Sequence, residues 1–122
     1  MAAEGCKLRW VGQHAVVDMP AEIDVTNAEE IRRALLSAAS HEAVVLVIDM
    51  SRTTFCDSAG VHAIVDTRKQ AAMTGTQLRL AATAALRILT LVGIDQLIPV
   101  YPTLEEALAG APAARASTRD PR

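Results

Sequence analysis

The chain has 122 residues, the size of one domain built on a single core. Hydrophobic residues make up 51%, nearly all of them Ala, Val, Leu and Ile, with Trp10, Phe55 and Tyr101 the only aromatics; this excludes global disorder and predicts an aliphatic core. A net charge of -2 with scattered cations excludes the basic, aromatic-rich face of a nucleic-acid binder, and no apolar run is long enough to span a membrane.

The first residues, Met1 to Lys7, lack a charged stretch leading into an apolar one, so no secretory signal is expected and the protein is read as cytoplasmic. Cys6 and Cys56 are then reduced; without metal-ligand spacing they read as small apolar residues. Leu8–Val11 alternates with Lys7 and Arg9 and predicts a strand. Gly12-Gln13-His14 is a turn, and Ala15–Met19 a second strand, so the chain opens on a hairpin. Pro20 ends it, and residues 21–25 read as a loop.

Thr26 and Glu29 have the T-x-x-E spacing of a capping box, which predicts a helix running to about Ser40 with Ile31, Leu35 and Ala38 on its inner face. Ala43–Ile48 is continuously apolar and β-branched, the pattern of a central strand covered on both sides. Residues 50–57 read as a loop rich in hydroxyls. From Ser58 the period is helical, with Val61, Ile64, Val65 and Ala72 inward and Gly75 as the stop. A strand is predicted at Leu78–Ala81, a helix from a Thr83 cap to Gly93, and a strand at Leu97–Val100. A final helix begins at a Thr103–Glu106 capping box and runs through Leu108. The domain is expected to fill residues 1–110. Residues 111–122 lack periodicity and large apolar residues and are expected to form a flexible tail. The order implies an α/β fold: an N-terminal hairpin, then alternating strands and helices, giving a mixed, mostly parallel sheet of about five strands with about four helices.

The chemistry concentrates in Asp49-Met50-Ser51-Arg52-Thr53-Thr54-Phe55-Cys56-Asp57-Ser58-Ala59-Gly60, where a buried strand delivers a loop to the start of a helix. Two readings of Ser58 stand side by side on local grounds. Either Asp57 or Ser58 is a helix cap, since side-chain oxygens satisfy the first amides. Alternatively, Ser58 is a phosphoacceptor whose modification adds about -1.5 to -2 charge beside Asp57 and Asp24. A receiver domain has similar size and alternation, but needs an acidic pair after its first strand and a helix directly behind it; here a hairpin stands there. A serine hydrolase needs a G-x-S-x-G elbow and a paired base, and His14, His41 and His62 show no such pairing with Ser58.

The D-x-S-x(5)-D-S-x-G pattern, with Glu22-Ile23-Asp24 in the earlier loop and the Thr103-Leu104-Glu105-Glu106-Ala107 ending, resembles the STAS family, in particular its anti-sigma factor antagonists, over roughly residues 7–109. The resemblance implies a non-enzymatic switch protein of the STAS fold with no cofactor of its own. It implies that Ser58 is phosphorylated by the anti-sigma factor, an ATP-dependent serine kinase of histidine-kinase-like fold, and restored by a phosphatase. Unphosphorylated protein would bind that kinase and free its sigma factor. Asp24, Asp57, Ser58, Ala59, Gly60 and Val61 would form the partner surface. Asp49 and Ser51 would order the loop by hydrogen bonds, and Gly60 would let the helix start pack closely. Two positions depart from the family pattern: Ala21 stands where Gly is usual, and Ala59 where a second hydroxyl is common. A non-switching STAS subunit of a stress-signalling or lipid-transport complex is the alternative.

Overall fold

The computed structural model describes residues 6–41 and 43–110; the expected tail, residues 111–122, lies outside them. Lys7–Val11 (β1) and His14–Asp18 (β2) pair antiparallel about Gly12, whose φ of 62° belongs to the left-handed region that glycine enters without penalty. After the short strand Glu22–Ile23 (β3) come helix Ala28–Ser40 (α1), strand Val45–Met50 (β4) and a second short strand, Phe55–Cys56 (β5). Helix Ser58–Thr74 (α2), strand Gln77–Ala82 (β6) and helix Leu86–Leu91 (α3) follow. A 3-10 turn, Ile94–Gln96, strand Val100–Tyr101 (β7) and helix Leu104–Ala109 (α4) complete the order.

Five strands form one sheet in the order β1-β2-β4-β6-β7, antiparallel at β1·β2 and parallel elsewhere. The opening hairpin is incompatible with the receiver topology. β4 is central and all six of its residues are buried, as a strand covered on both faces must be. Its side chains divide by alternation. Leu46, Ile48 and Met50 join Ala15, Val17 and Leu80 in the core under α1 and α2, which contributes Ile31, Leu35 and Ile64. Val45 and Val47 join Val16, Ala81 and Tyr101 in a smaller cluster against Ala107 of α4. Arg79, on β6, holds α4 in place: its Nη1 donates to the carbonyls of Ala107 at 2.7 Å and Leu108 at 3.3 Å, in the last turn, where intrahelical donors run out.

Several local expectations are corrected. The two loops at 21–25 and 50–57 are not wholly irregular, because β3 and β5 pair parallel as a separate ribbon, Glu22 beside Phe55 and Ile23 beside Cys56. Thr26 does not cap α1. Its amide and hydroxyl both turn back to the Asp24 carboxylate, a local competitor for the same donors. Asn27 takes the cap position without a side-chain cap bond. Thr83 likewise does not cap α3; its hydroxyl donates to the Pro102 carbonyl at 3.0 Å, and Ala85 precedes the helix. The apolar run at Leu97–Val100 divides: Leu97 is exposed, Ile98 is buried, and only Val100–Tyr101 pairs with β6. Ala72 faces solvent, whereas Ala63, Thr67 and Ala71 form the buried stripe of α2 with Ile64. Thr103 caps α4, accepting from the Glu106 amide at 3.1 Å.

Candidate functional site

β4 ends at Asp49-Met50, where the Asp49 Oδ1 accepts from the Ser51 amide at 3.0 Å and the Ser51 hydroxyl at 2.7 Å. This small ring turns the chain off the sheet. The carboxylate of Asp49 is nearly buried, with the Arg9 guanidinium 4.0 Å away; Arg9 itself is held by Asp18 at 2.9 and 3.2 Å. The buried Thr53 hydroxyl then donates to the Pro20 carbonyl at 2.8 Å, drawing the loop toward the segment before β3.

From there β5 runs beside β3. Thr54 N and Phe55 N donate to Ala21 O at 2.8 and 3.3 Å, and Asp57 N donates to Ile23 O at 3.1 Å. This ladder brings Asp24 and Asp57, 33 positions apart in the sequence, to neighbouring ends of the ribbon. No described residue other than glycine has a positive φ, so Ala21 sits there without backbone strain, and its carbonyl serves as a ladder acceptor. Asp24 carries its own clamp. The Thr26 hydroxyl, and then the Thr26 amide, bind its carboxylate and hold it below the usual carboxylate range. Asn27 closes the turn: its Oδ1 accepts from the Asp24 amide at 3.0 Å and its Nδ2 donates to the Glu22 carbonyl at 2.8 Å.

Of the two candidates for the helix cap, Asp57 is the cap. Its Oδ1 accepts from Ala59 N at 3.0 Å and Gly60 N at 3.3 Å, so a carboxylate sits at the positive end of a helix of 17 residues. Ser58 is the first helical residue. It is exposed, and among the described residues its hydroxyl takes no hydrogen bond. That hydroxyl is therefore free to react, but no base inside the described residues is bonded to it.

Gly60 explains how the helix start meets the ribbon. A Cβ on Gly60 would stand 2.6 Å from Cys56 Sγ and 2.6 Å from Ile23 Cγ2, well inside contact distance. Only glycine lets Ile23 and Cys56, the inward side chains of the ribbon, lie against α2. Ala59 and Val61 are half-buried, and Val61 packs against the core under α1 and α2 rather than standing free. Cys56 is 3% exposed, and burial, followed by the Asp57 carboxylate, pushes its thiol up to about 11. A buried thiol held neutral is a poor nucleophile, which speaks against oxidation at Cys56 as a switch.

Asp24, Asp57, Ser58, Ala59 and Gly60 thus meet at one end of the sheet, with Val61 just behind. Asp49 and Ser51 stand one step back, at the turn that launches the loop. Glu22, Asn27 and Phe55 belong to the same locality and are not evident from spacing alone. The alternation Glu22-Ile23-Asp24 against Phe55-Cys56-Asp57 is the signal that could have found the ribbon.

The sequence profile of the STAS domain family matches residues 7–107. The structure is similar to that of an anti-sigma factor antagonist from Mycobacterium paratuberculosis, with 26% sequence identity, a TM-score of 0.79, and coverage of 90% of this chain and 97% of the other. It shares its fold with the Bacillus cell fate determinant SpoIIAA in the phosphorylated form (21% identity, TM-score 0.65, 86% and 97% covered). It also shares its fold with a sulfate transporter family protein from Wolinella succinogenes (19% identity, TM-score 0.64, 91% and 88% covered).

Proposed function

The chain belongs to the STAS domain family, and we propose that within it this protein is an anti-sigma factor antagonist switched by phosphorylation of Ser58. The observation that carries the proposal is the division of labour at the start of α2. Asp57 does the capping, so the Ser58 hydroxyl is exposed and uncommitted at the end of a rigid helix. A serine needed only for the fold would be expected to hold a backbone amide; this one does not.

The partner is an anti-sigma factor that is itself an ATP-dependent serine kinase. ATP and magnesium belong to that partner, and this chain supplies the acceptor. Unphosphorylated protein binds the kinase and releases the sigma factor it held; phosphoprotein lets go; a phosphatase resets it. The site is cytoplasmic by this reading, and no helix among the described residues is long and apolar enough to cross a membrane.

The physics of release follows from the acceptor's position. The amides of Ala59 and Gly60 are already bound by Asp57, so a phosphate on Ser58 is not drawn onto them and projects outward. A kinase that has just phosphorylated Ser58 holds nucleotide phosphates against the same oxygen. A single like-charge contact near 4 Å costs up to about 4 kcal/mol at a surface dielectric. Since about 1.4 kcal/mol is a tenfold change in affinity, half of that is already a switch. Asp24 is held below the usual carboxylate range by the Thr26 hydroxyl and amide, so it does not take up a proton to relieve the added charge at neutral pH.

A STAS role without a switch is the competing reading, and the sulfate transporter family protein has the same fold. The free Ser58 hydroxyl favours the switch. The two readings separate on incubation with purified anti-sigma factor kinases and ATP, followed by phosphosite mapping and by binding of wild type, Ser58→Ala and Ser58→Asp. Phosphate on Ser58, tight binding by Ser58→Ala and weak binding by Ser58→Asp is the expected pattern. Equal binding by all three removes Ser58 from the mechanism.

A further inference from the structure

The β3·β5 ribbon has an inner and an outer face. Ile23 and Cys56 are buried and point at Gly60, as the close approach of their side chains to that glycine requires. Alternation along the two strands then puts Glu22 and Asp24 of one, and Phe55 and Asp57 of the other, on the outer face. Register seats Phe55 beside Glu22. Phe55 is 47% exposed, in a chain with only three aromatic residues. A two-residue strand gains nothing for the core by presenting Phe outward, since its neighbour Cys56 supplies the buried contact.

We infer that Phe55 is the apolar anchor by which the kinase acting on Ser58 grips this chain; the inference rests on the Ser58 reading and adds a contact to it. Phe55 lies three residue steps before Ser58, at most about 10 Å of extended chain. A standard interface covers about 800 Å² on each partner, a disc roughly 16 Å in radius, so an enzyme that seats Ser58 in its active site also lies over the ribbon. Aromatic side chains buried near the centre of such interfaces carry a large share of the affinity. The matching surface on the kinase is an apolar recess. The carboxylates of Glu22, Asp24 and Asp57 around Phe55 call for Arg or Lys at the rim of that recess. Of the other exposed apolar side chains, Val25 follows Asp24 at the ribbon, whereas Leu8, Trp10 and Val11 lie on β1 and Leu86, Leu91, Val92 and Leu97 on α3 and the segment after it, with no link to Ser58 through the ribbon.

The test uses the purified kinase that phosphorylates Ser58, with binding measured for Phe55→Ser, Phe55→Leu, Leu91→Ser and Ser58→Asp, and folding checked by thermal denaturation. Phe55→Ser should bind tenfold or more weakly while unfolding close to wild type. Phe55→Leu, which keeps an apolar side chain, should recover most of the affinity, and Leu91→Ser should bind as wild type. Phe55→Ser within twofold of wild type overturns the inference; weak binding by Ser58→Asp then leaves the phosphoswitch standing. A Ser58→Asp variant that binds as wild type overturns the switch reading, and this inference with it.

Discussion

Gly60→Ala probes the junction between ribbon and helix directly. The added methyl would lie 2.6 Å from both Cys56 Sγ and Ile23 Cγ2 and 3.4 Å from Ile23 Cβ. Carbon contacts are comfortable at roughly 3.5–4 Å, so two neighbours each have to give way by about 1 Å. Both belong to buried side chains on a ribbon tied by backbone ladder bonds to the flanking loops. Overpacking of this kind costs about 1–3 kcal/mol. Alanine recovers up to about 1 kcal/mol of helix propensity over glycine. Two simultaneous clashes put the overpacking cost in the upper part of its range, at about 2–3 kcal/mol, so a net loss of about 1–2 kcal/mol remains, which lowers Tm by on the order of 5–10 °C in a domain of this size. Urea unfolding of wild type, Gly60→Ala, Cys56→Ala and the double variant supplies the assay. Removing the sulfur removes one of the two obstacles, so the cost of Gly60→Ala should fall in the Cys56→Ala background, with a coupling on the order of 1 kcal/mol. Gly75→Ala is the control: it too loses stability, because φ there is 77°, but nothing lies within 4 Å, so it should show no coupling to Cys56. A Gly60→Ala variant as stable as wild type, or a cost unchanged when Cys56 is Ala, refutes the packing argument.

Asp57→Ala removes the cap from α2 and should cost about 1 kcal/mol by denaturant unfolding, with a wild-type slope. Arg79→Ala leaves the last carbonyls of α4 without their donor; a loss of about 1–2 kcal/mol is expected, with hydrogen exchange in α4 rising before that in β4. Cys56 has a thiol raised to about 11 from the ordinary 9.0, so the fold favours its neutral form. That contribution is complete below about pH 9 and fades as pH rises toward 11; Cys56→Ala should therefore lose less stability than wild type over this interval. At pH 8 its thiolate fraction is roughly a hundredfold below that of an ordinary thiol, and thiol-disulfide reagents should label native Cys56 correspondingly slowly.

Much of the architecture was legible in the residues. The opening hairpin rested on alternation and Gly12, β4 on its unbroken apolar run, and the end of α2 on Gly75. Each is a short-range pattern with one dominant physical cause. The local misreadings share another cause. Thr26 and Thr83 stand at plausible cap positions, but neither oxygen accepts from a helix amide; each hydroxyl instead donates elsewhere, to the Asp24 carboxylate in one case and the Pro102 carbonyl in the other. Propensity ranks residues for a cap without knowing which oxygen the fold brings alongside.

The site divides along the same line. By itself the sequence determined that Asp57 and Ser58 stand where a strand-fed loop becomes a helix and offered both as caps, while the close packing at Gly60 came from the family resemblance. Only the tertiary structure decided which residue caps, and so left the Ser58 hydroxyl free. Only the pairing of β3 with β5 turned Phe55 outward, and it supplies the ladder that brings Asp24, expected on the same surface, beside Asp57. The reason is that two strands of two residues each carry no periodic signal. Their pairing is set by the distant elements that hold their ends: the Asp49–Ser51 turn and Thr53 on one side, and α1 with its Asn27 clip on the other.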